Sequence, residues 1–255
     1  MKKILLIISV WTFIGCAQTT YSSEFNRQQT GFIQFMQSLS QEYRTNPNDL
    51  NAEKVNNKME DYLHSLQPLV GWRGTISGIA VDTIGKNEEY VFSFDINFEY
   101  REFNCSLSSS YHYDTEEELQ SSHFYKKLIN LPNNSTVYFD GFIERAIDGK
   151  LTNFNENDML KYIDPIFLFN TFEIYITQPK QLSPQLLKQL SLIYQRYCLY
   201  CKKDYKQITE REYRVAMSEM PKVDTKSLTG EENEYLNRCI NELTASIFED
   251  ILFNP

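Results

Sequence analysis

The sequence predicts an α+β fold in which five strands and a helix stand between two helical segments. Three observations predict it. Apolar residues recur every three to four positions over 27–68 and again over 179–255, the period of helices with one buried face. Between these segments Phe92, Phe94, Ile96, Phe98 and Tyr100 alternate with Ser93, Asp95, Asn97 and Glu99, the period of a strand with one buried side. The composition supplies a core for such an assembly: 255 residues, 42% hydrophobic and 14% aromatic. A mean hydropathy of -0.46 excludes a polytopic membrane protein.

The chain opens on a secretory signal at residues 1–15. Lys2 and Lys3 form its positive end, and Ile4 to Ile14 form an apolar stretch too short to anchor in a bilayer. It closes on Phe13-Ile14-Gly15-Cys16, which resembles a bacterial lipobox with Phe13 where leucine is usual. The resemblance implies cleavage before Cys16 and acylation of its thiol, so that Cys16 attaches the chain to a lipid bilayer. Several acyl chains on one residue hold a bilayer far more firmly than one. Loss of Lys2 and Lys3 would take the formal charge from -9 to -11. Ala17 follows the cysteine, and by the same resemblance this implies the outer membrane, facing the periplasm. Residues 16–26 are polar and read as a tether.

Residues 27–68 read as two helices. Phe32, Phe35, Met36, Leu39 and Tyr43 form the first stripe, Asn46-Pro47-Asn48 breaks it, and Val55, Met59, Tyr62, Leu63 and Leu66 form the second. Residues 69–178 then change period. Trp72 to Ile79 starts a strand, Gly85-Lys86-Asn87 marks a turn, Phe92–Tyr100 is the second strand, and Phe103, Cys105 and Leu107 mark a third. Thr115-Glu116-Glu117-Glu118 is a capping-box pattern opening one helix, continued by Phe124, Leu128 and Leu131. Val137–Ile143 and Phe167–Ile176 supply the fourth and fifth strands. With Trp72-Arg73-Gly74-Thr75-Ile76 opening it and Val137-Tyr138-Phe139-Asp140-Gly141-Phe142-Ile143 near its close, this segment resembles the small bacterial OB domains of the tRNA-anticodon-binding type. The resemblance implies an OB-like five-stranded β-barrel with a helix between its third and fourth strands.

Residues 179–255 return to helix. Ser183-Pro184 is an N-cap followed by proline at the first helical position, and Leu186, Leu190, Ile193, Tyr197 and Cys201 form a stripe. Thr209–Glu212 and Thr229–Glu232 are two further capping boxes, and Leu236, Ile240, Leu243, Ile247 and Ile251 line the last helix. Charge separates the segments. Residues 69–178 hold 8 Lys and Arg against 17 Asp and Glu, a net of -9, whereas residues 179–255 hold 11 of each. An OB barrel that binds a polyanion needs a basic groove, so no nucleic-acid partner is expected.

With Cys16 assigned to lipid, Cys105, Cys198, Cys201 and Cys239 remain. In an oxidising compartment an even number predicts two disulfides, with three connectivities open. A bridge from Cys198 or Cys201 to Cys239 closes a loop of roughly 40 residues, worth about 4 kcal/mol. The remaining helical cysteine would then reach Cys105. Cys198-Leu199-Tyr200-Cys201 is a C-x-x-C, but it lies some four turns into a helix, whereas oxidoreductases place the pair at a helix N-terminus.

No catalytic motif appears: no G-x-S-x-G elbow, no glycine-rich phosphate loop, no H-E-x-x-H. No metal or cofactor is expected, and the acidic run beside His112 and His123 reads as a solvated first turn. Ser108-Ser109-Ser110-Tyr111-His112-Tyr113-Asp114 is read as a loop past the third strand, with Tyr111, His112 and Tyr113 as candidate contact residues for a ligand or partner. The functional expectation is a lipid-anchored, non-catalytic binding or scaffold module with an envelope protein as partner. The alternatives are an immunity or inhibitor lipoprotein that blocks a toxin or hydrolase in the periplasm, and a thiol-active protein.

Overall fold

The structure is a computed structural model that describes residues 25–66, 68–84, 89–144, 161–204 and 206–243. The expected signal segment, Cys16, most of the expected tether, the expected turn at Gly85-Lys86-Asn87, and Ile247 and Ile251 lie outside the described residues.

Two helices come first, α1 (Arg27–Thr45) and α2 (Asp49–Leu66). Asn26 caps α1 by accepting from the Gln29 N–H, and Asn48 caps α2 by accepting from the Asn51 N–H. The five strands are β1 (Leu69–Ile84), β2 (Glu89–Tyr100), β3 (Phe103–Tyr113), β4 (Ser135–Ile143) and β5 (Ile166–Tyr175). They close in the order β1-β2-β3-β5-β4, with β4 returning to β1. Every pairing is antiparallel except the short parallel contact of Ser106–Ser108 with Ile166–Leu168 that shuts the barrel. This is the OB-like barrel.

Alternation decides what fills it. Trp72, Ile76, Phe92, Phe94, Ile96, Phe98, Phe103, Leu107, Phe139 and Phe169 are all buried in one core. Each such side chain contributes roughly 1.5–3 kcal/mol when fully withdrawn from water. Closure brings backbones close at Gly141, where a Cβ would lie 2.3 Å from Phe169 Cζ and 2.4 Å from the Asn170 carbonyl. Only glycine fits there.

Both ends of the barrel are plugged by helix. At one end Phe32 of α1 packs on Trp72, Phe98 and Phe103 at ring-centroid distances of 5.2, 6.2 and 5.8 Å. Two adjacent glutamines fasten α1 to β1. The Gln29 amide exchanges two hydrogen bonds with the Arg73 backbone, donating to its carbonyl at 2.7 Å and accepting from its N–H at 2.9 Å, as a strand neighbour would. Gln28 donates to the Leu66 and Pro68 carbonyls and accepts from the Val70 N–H and the Trp72 indole.

At the other end lie α3 (Glu116–Ser121) and α4 (His123–Leu128), with Phe124 4.9 Å from Tyr111. The sequence predicts one helix here; two short ones form. Ser122 takes an extended backbone and accepts from the Tyr125 N–H, so it ends one helix and caps the next. The Thr115 box is half made, because Glu118 accepts from the Asp114 N–H instead of that of Thr115. The stretch read as a loop, Ser108–Tyr113, is strand: β3 runs unbroken against β2 as far as Tyr113 opposite Tyr90. Alternation turns Ser109 and Tyr111 inward and leaves His112 exposed.

The C-terminal segment forms α5 (Pro184–Asp204), α6 (Glu210–Glu219) and α7 (Gly230–Leu243). Both halves of the capping boxes at Thr209 and Thr229 are made. Phe142 of β4 and Phe172 of β5 face outward and join Leu190, Tyr194, Leu236 and Cys239 in a second apolar cluster. α5 and α7 therefore lie against the outer face of β4 and β5, and α6 packs on α5.

Candidate functional site

A cleft of about 770 Å³ opens where all three segments meet. Its walls are the start of α1 (Asn26, Arg27, Gln28), the end of α2 (Tyr62, Leu66), the start of β1 (Pro68, Val70, Gly71) and the chain from Gln178 to Leu182. The volume lies in the range of sites that enclose small ligands. A contact between the His64 and Tyr194 rings, 5.8 Å apart, ties α2 to α5.

The wall polar groups divide by role. Asn26 and Gln28 commit their amides to the β1 backbone and to the end of α2, which fixes the wall. Arg27, Gln178, Lys180 and Gln181 are exposed on the rim. The cleft thus offers an apolar trough of Tyr62, Leu66, Val70, Leu182 and Leu187 beneath two cations and two amides.

Asp140 lies at the floor, 1% exposed. Gly71 adopts φ +61° at a register shift between β1 and β4, and its N–H points at Asp140 Oδ1, 2.5 Å away. The Tyr175 and Tyr235 hydroxyls donate to Oδ2 at 2.9 and 2.7 Å. Burial raises the Asp140 pKa against the pull of these three donors, and the nearby Glu173 charge raises it further. Both phenols are raised, first by burial and then by Asp140, so they stay protonated and donate. Asp140 thereby links β1, β4, β5 and α7.

Beside it on β5, Glu173 makes a second junction. Its Oε1 accepts from Lys127 Nζ at 2.5 Å and pairs with His123 Nε2 at 2.9 Å, and its Oε2 lies 3.4 Å from Arg238. Burial alone would push this carboxyl up. The hydrogen bonds and charges of His123 and Lys127 overcome that and hold it at about 2. One carboxylate thus joins the barrel to α4 and to α7.

The cysteines depart from expectation. Cys105, Cys198, Cys201 and Cys239 are all buried, and none is joined in a disulfide, in place of the two bridges expected. Cys105 packs inside the barrel while the other three pack in the cluster outside β4 and β5, so the barrel wall separates them. Burial drives the Cys105 and Cys239 thiols well up, toward the protonated form. Cys198 and Cys201 are buried in the second half of α5, far from the helix N-terminus at which oxidoreductases place such a pair.

The contact candidates are split by the strand. Tyr111 donates to the Thr171 carbonyl at 2.9 Å and stacks on Phe94, so it belongs to the core. Tyr113 is half-buried against the same core, and His112 alone is exposed. The outer face of β1, β2 and β3 is a ladder of small polar groups bonded to one another: Ser106 to Asn97, Asn97 to Ser77, and Ser108 to Asp95. Asp140 and Glu173 were missed by sequence reasoning. Their signal was a single acid within each apolar strand, in Val137–Ile143 and in Phe167–Ile176.

Comparison with protein-family models, with curated proteins and with solved structures found no match. The chemistry of the site has to carry its meaning.

Proposed function

We propose that the chain is a lipid-anchored envelope protein, acylated at Cys16 and held at the outer membrane facing the periplasm, that works as a non-catalytic binding or scaffold module. The observation that carries the binding role is the cleft, whose walls come from all three segments and are fixed by the Asn26, Gln28 and Asp140 hydrogen bonds. Asn26 also ends the tether. Ten residues of tether span at most about 35 Å, so an anchored chain would keep the cleft mouth near the bilayer. The apolar trough under Arg27 and Lys180 suits a ligand with an apolar body and an anionic end.

Two experiments test this. Intact mass of protein from its native membrane should show a chain beginning at Cys16 with a triacyl-sized addition; an unmodified chain overturns the anchor. A thermal-shift screen of acyl and peptidyl carboxylates should raise the melting temperature of the wild type and not of Arg27→Glu/Lys180→Glu. Equal shifts in both remove the cleft from the account. The net charge of -9 on residues 69–178 supports a second reading, an inhibitor or immunity lipoprotein that complements a basic enzyme. That reading expects affinity for the enzyme to fall steeply with salt.

A further inference from the structure

β1 is longer than the barrel needs. Leu69–Ile76 pairs with β4, but the pairing with β2 continues to Ile84. Past the bulge at Gly78 and Ile79, Ala80–Ile84 runs beside Glu89–Ser93 of β2, which runs beside Ser110–Tyr113 of β3. These three stretches form an arm that projects beyond the point where β4 leaves β1. Among the described residues, nothing pairs with the far edge of Ala80–Ile84. Such an edge presents a row of unpaired backbone N–H and C=O groups, which another strand can satisfy. Val81 and Ile84 on it are 40% and 50% exposed.

Charge selects the occupant. The arm and the helix start beside it carry Asp82, Glu89, Asp114, Glu116, Glu117 and Glu118, all exposed, and no Lys or Arg among residues 80–84, 89–93 and 110–118. Between residues 84 and 89 the sequence adds one Lys and one Glu, Lys86 and Glu88, whose charges cancel. Two copies joined edge to edge would set like charges against each other, which disfavours self-pairing. A strand carrying lysine or arginine between β-branched residues would match both the backbone and the charge.

We propose that the free edge of β1 at Ala80–Ile84 docks an extended, basic segment of a partner protein, which adds to the arm as a fourth strand. The site lies apart from the cleft and owes nothing to the lipid anchor, so either can fail without the other. It also gives the exposed His112 a place on the same arm, two strands from the edge.

The test uses the full chain and a ten-residue peptide that alternates Lys or Arg with Val or Thr, at up to millimolar concentration. Amide hydrogen exchange should slow at alternate residues of Ala80–Ile84 on adding it. The same peptide N-methylated through its central residues should leave those amides unchanged. Asp82→Lys/Glu89→Lys should weaken binding at least tenfold, and raising salt on the wild type should weaken it likewise, which serves if the variant folds poorly. The proposal is overturned by exchange at Ala80–Ile84 that does not respond, by an equal response to the N-methylated peptide, or by affinity indifferent to both charge reversal and salt.

Discussion

Replacing Glu173 with glutamine should unfasten the barrel from two helices at once, and only above mildly acidic pH. The carboxyl is held at about 2 against an ordinary 4.5. Complete burial of all parties would make that difference worth about 3 kcal/mol. His123 and Lys127 are 40% and 27% exposed, so solvent screens part of it, and about 2 kcal/mol is expected. The sign follows from the direction of the shift. A carboxyl depressed in the folded state adds stability that is complete above 4.5 and is lost as pH falls toward 2. Glutamine cannot titrate, so Glu173→Gln should be about 2 kcal/mol less stable than wild type at pH 7. The gap should narrow steadily below pH 4.5 and close near 2. Urea unfolding followed by circular dichroism at pH 7, 4 and 3 measures it. A gap that stays constant across this range, or no gap at pH 7, would show that the ion pairs with His123, Lys127 and Arg238 contribute nothing and would refute the reasoning.

Three further outcomes are expected. Gly141→Ala forces a Cβ onto the Asn170 carbonyl and the Phe169 ring, and since the backbone cannot yield it should cost about 3 kcal/mol, read as a lowered Tm. Gln28→Ala strands the Val70 N–H and the Trp72 indole N–H, at a cost of about 2 kcal/mol. Trp11 and Trp72 are the two tryptophans of the chain, and in protein that begins at Cys16 the emission of Trp72 should report the change directly by moving to longer wavelength. Alkylation of unfolded, unreduced protein should label Cys105, Cys198, Cys201 and Cys239 alike, whereas a linked peptide joining α5 to α7 in the mass spectrum would restore the disulfide expected from the sequence.

The element list was written in the periodicities. Asn46-Pro47-Asn48 broke the first two helices where the structure breaks them, and the stripe from Leu186 to Cys201 lies on α5. The five strands fell in order because alternation and turn residues act over a few neighbours, and the barrel with its helix between the third and fourth strands followed from resemblance to one topology. Ser122 escaped because a short extended kink leaves a helical spacing almost intact. Ser108–Tyr113 looked like a loop because serine and tyrosine mimic a contact loop when the partner strand cannot be seen.

What the sequence determined by itself was local: for most stretches whether they are helix or strand, which face of each is apolar, and that the barrel segment is acidic. What only the tertiary structure decided was which surfaces meet. Gln28 and Gln29 are ordinary polar residues on a helix until β1 lies beside them. Asp140 and Glu173 are two acids among 34 until closure of the barrel puts Gly71, two tyrosines, a histidine, a lysine and an arginine around them. The cleft exists only because α1, α2, β1 and the approach to α5 converge. The physical reason is range: propensity and periodicity act between neighbours in the chain, whereas desolvation, hydrogen-bond pairing and packing act between neighbours in space.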